Sequence, residues 1–424
     1  MAPLMGHLFA RQSSDFDLSE PLSSFSDEWS APSNYAFTIL LLLGGDVVSR
    51  ALAQLAGGWY TPVAFSFGWV SYATSAVNSA VGEMKLMPGS DTPCTVINVS
   101  SGQSRSNGSW ILGRVMRDFE YWMKQDGPEV HKMVTELRDN KFKWDLDQAK
   151  AKSSGMAPKK VERPKLAGLV VSFWKVDEMK RSSVGKPGMD ILFWSGVVTS
   201  IVQLGVAAIP FGVYGDWGYF LVTAAAIILC LLTGCQKQWK REKWACRIFE
   251  KGDKPRHYIM TRGNGAQHAL IIECNGVGMN LEDLCTGFDN LDSPAISVTT
   301  RFAMLGLAVL WVCLLITSSA LTDHAWFLIA VGSIGMLQNI FVAGWSRKPE
   351  SLGLPLIFDG VIGHRKVIET LYKVEERLPN AGQRLAGEFF PAGLRSDEED
   401  KLKGIGEKVK NRKEEHMTEN EKLK

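Results

Sequence analysis

Two apolar runs near the middle of the chain decide the fold: MDILFWSGVVTSIVQLGVAAIP at 189–210 and WGYFLVTAAAIILCLLTGC at 217–235. A helix needs about 20 mostly apolar residues to cross the hydrocarbon core of a bilayer. Because lipid offers no hydrogen-bond partners to the backbone, each run is expected to be a helix. The short connection 211–216 makes the two helices a hairpin.

Other parts of the chain have the same character. Four further windows are apolar and long enough to cross a bilayer: 35–56, 60–81, 302–321 and 325–344. The sequence therefore predicts an α-helical membrane protein with six transmembrane helices, which form three hairpins: 35–81, 189–235 and 301–344. Whole-chain composition hides this pattern, because a mean hydropathy of −0.02 averages apolar blocks with charged ones.

Lysine and arginine are distributed unevenly around these helices. Of the 47 basic residues, 19 lie in 82–188, nine in 236–300 and 16 in 345–424. The short turns inside the hairpins, including 57–59, contain none. Because cytoplasmic flanks are rich in Lys and Arg, we predict that the long loops and both termini are cytosolic. The chain is then an integral protein of the plasma membrane or an endomembrane.

The long loops are expected to fold outside the membrane. Residue patterns predict a strand at 94–99 and a helix from Trp110 to about Gln125. Two further strands, His257–Thr261 and Gln267–Glu273, flank a sequence that favours a hairpin turn. These pieces predict a small cytosolic α+β module formed by the two loop domains, 82–188 and 236–300.

The ends of the chain are polar. Residues 1–34 are predicted to be a disordered lead, and 393–424 a disordered charged tail. Between the last span and the tail, the cytosolic segment 345–392 contains an amphipathic pattern that predicts a helix over 361–378.

The sharpest polar signal inside a predicted span is Asp46, Arg50 and Gln54, which are spaced four apart and so share one helix face. Ionisable residues at this depth usually face a protein interior or a watery cavity. One interpretation is an ion or solute pathway, and the other is a self-neutralised pair that holds helices in register. Only Gly44-Gly45 interrupts the centre of a predicted span, which argues against the broken helices typical of transporters.

Other predicted spans contain uncharged polar residues. Together with the preceding three, they form a candidate intramembrane polar site, although hydrogen bonding between packed helices explains them equally well. They are Asn78, Gln203, Gln338 and Asn339.

Two features of the loop 236–300 suggest anion binding. A basic stretch after the fourth span is expected to lie on the anionic inner leaflet, where each charge contributes about 1 kcal/mol: Lys237, Lys240, Arg241, Lys243 and Arg247. Nucleic acid is not expected as a partner. The turn Arg262-Gly263-Asn264-Gly265 can present backbone N–H groups to a phosphate, and a plain hairpin turn explains it as well.

No catalytic motif occurs in the sequence, and we predict no catalytic residues, no metal site and no cofactor. The seven cysteines are scattered and no pair has the spacing of a metal site. Asn98-Val-Ser and Asn107-Gly-Ser match the glycosylation sequon, which conflicts with a cytosolic loop.

Several phrases resemble an uncharacterised family of multi-span membrane proteins of filamentous fungi. They are GGDVVSR at 44–50, YTPVAFSFGW at 60–69, SWILGR at 109–114 and TRGNGAQH at 261–268. The resemblance implies a eukaryotic membrane and about six spans, and it carries no activity.

The asymmetry of the polar mass favours a non-enzymatic membrane scaffold or regulator whose cytosolic module binds lipid, a cytosolic protein or a second copy of the chain. The alternative is a transporter or channel that uses Asp46 and Arg50. A membrane-embedded enzyme has the least support.

Overall fold

The computed structural model describes residues 44–83, 85–152, 161–287, 297–321 and 323–422. The predictions for 1–34 and for the start of the first span lie outside these ranges. The helices are α1 (Gly45–Leu55), α2 (Trp69–Asn78), α3 (Trp110–Arg117), α4 (Phe119–Asp126), α5 (Pro128–Lys152), α6 (Ile191–Tyr214), α7 (Gly218–Gly234), α8 (Lys237–Lys243), α9 (Leu281–Thr286), α10 (Val298–Ser319), α11 (Trp326–Gly344), α12 (Val367–Arg377), α13 (Ala381–Phe389) and α14 (Ser396–Lys422). The strands are β1 (Thr95–Asn98), β2 (Ser104–Ser106), β3 (Leu169–Val176), β4 (Arg256–Thr261), β5 (His268–Cys274) and β6 (Leu356–His364).

The apolar half of the molecule is a helical bundle. Among the described residues, α6, α10 and α11 are each long and apolar enough to cross a membrane. Helix α7 passes the same test only together with α8, from which a bend of 42° separates it. No more than 33% of any of the three long spans is buried, so most of their apolar surface is available to lipid. These four helices match the predicted spans after residue 189.

The first predicted hairpin is different. Helix α1 has 11 residues and α2 has 10, and the chain between them, residues 56–68, forms no helix. We call residues 56–68 the buried segment, because Thr61 and Ala64 within it are completely inaccessible. The prediction of a continuous helix over 60–81 is therefore wrong, and six spans are not present in the described chain. Gly57, Gly58 and Pro62 disfavour a helix at this point.

The buried segment descends into the bundle from the end that faces the sheet, which we call the sheet end. There Lys243 of α8 donates a hydrogen bond to the carbonyl oxygen of Ala56 at 3.0 Å. Farther along, Phe67 lies against Gly332 of α11, where any side chain on the glycine would overlap the ring. Gly332 lies twelve residues before the last residue of α11, which places Phe67 about 18 Å from the sheet end at 1.5 Å per residue.

Helix α2 returns to the sheet end. Gly68, before its first residue, lies beside Gly44, before the first residue of α1, so the two short helices run in the same direction. After α2 the backbone N–H of Leu86 donates to the Glu242 carboxylate of α8 at 2.7 Å. The chain is therefore re-entrant, and the turn 57–59, predicted on the opposite side of the membrane, lies at the sheet end.

The polar half of the molecule is built on a six-stranded sheet with the order β2-β1-β4-β5-β3-β6, in which only β3 and β5 pair in parallel. Side chains alternate between two buried faces. One face, with Trp174 and Ile272, joins α3, α4 and α5 in a core that continues into the bundle. The other face, with Val171 and Ile271, packs against α12, α13 and α14.

The predicted α+β module is thus larger than expected, because the tail contributes to it. The start of the predicted helix over 361–378 is wrong: 361–364 belong to β6, which pairs with β3, and the helix begins at Val367. The prediction of a disordered tail is also wrong up to residue 422. Helix α14 inserts Leu402 into the core under the sheet, with 2% of its surface exposed, and this contact gives the tail a reason to order.

A re-entrant chain makes a specific prediction about sidedness. Trp59 and Gly82 are both exposed near the sheet end, as is Met179, whereas Asp323 is exposed at the opposite end of the bundle. In a cysteine-free background and sealed vesicles, a membrane-impermeant maleimide should label Trp59→Cys and Gly82→Cys from the same side as Met179→Cys. Asp323→Cys should react from the other side only. If Trp59→Cys reacted from the same side as Asp323→Cys, the result would contradict the re-entrant chain and support the predicted transmembrane hairpin.

Candidate functional site at the junction of bundle and sheet

The three polar residues of the first predicted span do not form one site. Asp46 and Arg50 are exposed on the outside of the bundle, and no ion pair joins them in the described part of the chain. Gln54 is completely buried. The reason is that positions four apart drift by about 40° around a helix of 3.6 residues per turn, so the third residue turns inward. Asn78 is likewise exposed at the end of α2.

The amides of α6 and α11 hold the buried segment. Gln203 donates through Nε2 to the carbonyl oxygen of Phe65 at 2.6 Å. Asn339 donates through Nδ2 to the carbonyl oxygen of Ala64 at 3.0 Å and to Ser66 Oγ at 3.0 Å. We call Gln203 and Asn339 the amide clamp. It supplies, from side chains, hydrogen bonds that a helical backbone would have made for itself.

Gln338, also predicted as an intramembrane polar residue, and two glycines complete the packing of α6 and α11 around the buried segment. Gln338 donates to Ser195 Oγ at 2.8 Å and so links α11 to α6. A side chain at Gly335 would overlap the Phe65 carbonyl oxygen, and one at Gly196 would overlap the Pro62 carbonyl oxygen. The small residues therefore let the helices approach an extended backbone, which the sequence had suggested only for helix against helix.

Two buried basic side chains cap the end of α1. Lys243 donates through Nζ to the carbonyl oxygens of Gln54 and Ala56, at 3.1 and 3.0 Å. Arg347 donates to the same Gln54 oxygen at 2.6 Å. Their N–H groups satisfy the last carbonyl groups of α1, which have no partner within the helix. The prediction that Lys243 lies on the lipid surface is wrong, since only 2% of it is exposed.

Arg347 also joins the bundle to the sheet-bearing half. Its guanidinium group donates to Asp190, the residue that caps α6, at 2.7 Å, and to the Gly188 carbonyl oxygen at 3.2 Å. Its backbone N–H donates to Asp118, between α3 and α4, at 3.1 Å. Through its side chain and its backbone N–H, this one residue therefore ties its own segment to the end of α1, to the start of α6 and to the junction of α3 and α4. No local pattern indicates this role for Arg347, because a basic residue directly after a span is typical of an exposed anchor.

Arg114 makes the matching contact at the end of α11. It donates to the Ala343 carbonyl oxygen at 2.9 Å, pairs with Asp91 at 3.0 Å and lies 4.8 Å from the centre of the Trp110 ring. Burial lowers the pKa of Arg114 to about 10, which still leaves it charged at neutral pH. We call Arg114, Lys243 and Arg347 the junction cations.

A basic cleft opens beside the junction. Its volume is about 760 Å³, and it begins at α8, directly after the end of α7. Four predicted lipid-surface residues line it: Lys237, Lys240, Arg241 and Arg247. Arg247 is held by Asp283 through two hydrogen bonds, of 2.6 and 3.0 Å. Trp244 and the half-exposed Ile248 add apolar surface, so the cleft combines positive charge with an apolar wall.

A second cavity, of about 770 Å³, lies at the predicted loop site, and we call it the turn cavity. Arg262, Asn264 and Gly265 line it, whereas Gly263 only shapes the turn, with φ 79°. The sequence did not identify the other polar residues that line it, which are Thr92, Arg117, Glu120, Gln267 and His268, the first residue of β5. The strand alternation places its ring beside Phe119, 5.1 Å between ring centres.

The two sequons are closed by the fold. Asn98 is 4% exposed and donates through Nδ2 to Glu282 at 2.8 Å. Asn107 is 7% exposed and donates through Nδ2 to Ser90 Oγ and to the Ser109 carbonyl oxygen. A glycan on either nitrogen would replace these hydrogen bonds in a space that has no room for a sugar.

Comparison of the chain with family models, with curated proteins and with solved structures gives no match. The site therefore has to be interpreted from its own chemistry. Within the described ranges, no three His, Cys, Asp or Glu side chains come together as a metal site would require.

The junction predicts a large stability effect from one substitution. Arg347→Met leaves Asp190 and the Gly188 carbonyl oxygen without this donor and removes one of two donors to the Gln54 oxygen. Breaking a buried ion pair costs about 3–5 kcal/mol. The neighbouring Lys348→Met removes only a half-exposed pair with Asp126, which is worth less than about 1 kcal/mol. Denaturant unfolding of both variants in detergent, followed by tryptophan fluorescence, compares them. Equal losses would show that the junction does not couple the two halves.

Proposed function

We propose that the protein is a non-enzymatic membrane scaffold or regulator whose sheet-bearing half holds an anionic phospholipid headgroup at the membrane surface. The observation that carries this proposal is the position of the basic cleft. It starts where the apolar helix α7 ends, and four cationic side chains line it. Headgroups are expected at the end of an apolar span.

The charge in the cleft is available to a ligand. Lys237 and Lys240 are exposed and have no carboxylate partner within the described residues. Among the described residues that line the cleft, Asp283, which pairs with Arg247, is the only acidic one. A surplus of positive charge near an anionic leaflet attracts lipid by about 1 kcal/mol per charge. The cytosolic leaflet is the anionic one, which agrees with the sidedness that the Lys and Arg distribution predicts.

Headgroup binding has a route to the rest of the molecule. One face of α8 carries Lys237 and Lys240 toward the cleft, and the other carries Lys243 to the end of α1. A ligand in the cleft would therefore contact α8, the same helix whose Lys243 donates a hydrogen bond to Ala56 of the buried segment. A regulator that senses lipid composition, or a scaffold that displays the sheet to a cytosolic protein or to a second copy, fits this arrangement.

Neutralising two lysines should weaken lipid binding. Lys237→Gln/Lys240→Gln removes about 2 kcal/mol of attraction, which corresponds to about 30-fold weaker binding of dioctanoyl phosphatidylserine. Calorimetric titration of the detergent-solubilised protein measures this, and raising the salt concentration should reduce the difference. The matched control is Lys132→Gln/Lys143→Gln, two exposed lysines on α5. Equal binding of dioctanoyl phosphatidylcholine, or equal loss in the control, would refute the proposal.

A second candidate function, transport of a solute or ion, is favoured by the buried segment. Non-helical backbone at membrane depth is tolerated where it is buried in protein or lines a cavity, and transporters place binding sites at such breaks. Asp46 and Arg50 lie on the outside of the bundle, so they are poorly placed for this role. Gln203 and Asn339 contact the segment directly.

Flux measurements distinguish the residues involved. If the protein transports, proteoliposomes should show solute or ion flux that Asn339→Leu abolishes, because this change removes the hydrogen bonds to Ala64 and Ser66. Asp46→Asn should leave the flux unchanged. Ser333→Leu, an exposed position on the same helix, is the control for a bulkier apolar side chain. The absence of flux across a broad panel of ions and metabolites would remove this candidate.

A further inference from the structure

We propose that the turn cavity binds a small organic anion, a carboxylate or a phosphate monoester with an apolar body. This site is separate from the basic cleft, and the two share no lining residue. The inference does not depend on the function proposed above.

The frame of the cavity is fixed without a ligand. The backbone N–H of Gly263 donates to Thr261 Oγ1 and that of Ala266 donates to the Gly263 carbonyl oxygen, both at 3.1 Å. Arg262 donates through Nη2 to the Met116 carbonyl oxygen at 3.0 Å, which anchors the turn on α3. Two backbone N–H groups are thus used inside the turn itself. An anion would therefore be recognised by the side chains rather than by a backbone cradle.

Arg262 supplies the anion-binding group. Only one of its guanidinium nitrogens makes a hydrogen bond to the described protein, and the remaining N–H groups form a planar fork that suits a carboxylate or a phosphate. Among the described residues that line the cavity, the exposed Glu120 is the only acidic one. It has no ion-pair partner in the described chain, so it would accept a hydrogen bond from a donor group on the ligand.

The rest of the cavity fits an apolar body. Met116, Phe119 and Leu166 line it, and its volume falls within the range of sites for small molecules. The Nδ1 atom of His268 is buried and has no hydrogen-bond partner among the described residues, which marks it as a further contact for a ligand. Burial, with the nearby guanidinium groups of Arg138 and Arg262, lowers the pKa of His268 to about 4. At neutral pH the ring is therefore uncharged and can accept or donate.

The first test is calorimetric titration of the full chain in a non-ionic detergent with phenyl phosphate. We expect saturable binding at least tenfold tighter than that of benzyl alcohol, which lacks the charge, and of inorganic phosphate, which lacks the ring. Equal binding of benzyl alcohol, or no saturable binding of phenyl phosphate, overturns the proposal.

Variants assign the binding to this cavity. Arg262→Gln should weaken phenyl phosphate binding at least tenfold, and Lys237→Gln/Lys240→Gln should leave it unchanged, which separates this site from the basic cleft. Asn264→Asp places a negative charge on an exposed turn residue, so it should weaken binding similarly while the thermal unfolding temperature stays the same. Unchanged affinity in Asn264→Asp and Arg262→Gln, or a loss in the lysine variant instead, would contradict the assignment.

Discussion

An extended backbone inside an apolar bundle has to obtain from its neighbours the hydrogen bonds that a helix makes for itself, and the bundle is organised around this requirement. The carbonyl groups of Ala64 and Phe65 find donors because Asn339 and Gln203 stand at the right depth on α11 and α6. The backbones approach closely because glycine occupies positions 196, 332 and 335. The polar and small residues of the spans, which otherwise resemble helix-packing devices, are therefore explained by the segment they surround.

The same requirement recurs at the sheet end, where helices stop and their last carbonyl groups lack partners. Lys243 and Arg347 satisfy α1, and Arg114 satisfies α11. Because these cations come from the polar half of the chain, capping the helices and docking the sheet are one event. The continuous core between bundle and sheet agrees with this view. A displacement of the sheet is therefore expected to move the spans as well, because the two halves share one packed core.

The sequence located the spans after residue 189, the β4–β5 hairpin, and the basic and turn residues that line the two cavities. Each of these depends on a local pattern of hydropathy, charge or turn chemistry. It could not locate the buried segment. YTPVAFSFGW is as apolar as a membrane-spanning helix, and its extended form depends on Asn339, which lies 275 positions from Ala64. Nor could it separate Lys243 from Lys240, three residues apart in one basic run, because only the fold decides which one turns inward. Strand β6 was missed since its edge pairing with β3 is a contact between distant segments.

Whether the bundle interior is wet or dry decides between the two candidate functions. The side-chain N–H groups of the amide clamp donate to the buried segment. The side-chain oxygens of Gln203, Asn339 and Gln54 have no hydrogen-bond donor among the described residues. An unpaired buried acceptor costs about 1–3 kcal/mol, so three of them would be an expensive feature of a bundle that serves only as an anchor. Water or a cation reaching these oxygens would remove that cost and would give the segment a role beyond filling space. The clamp is therefore the part of this molecule where membrane anchoring and membrane transport make different demands on the same residues.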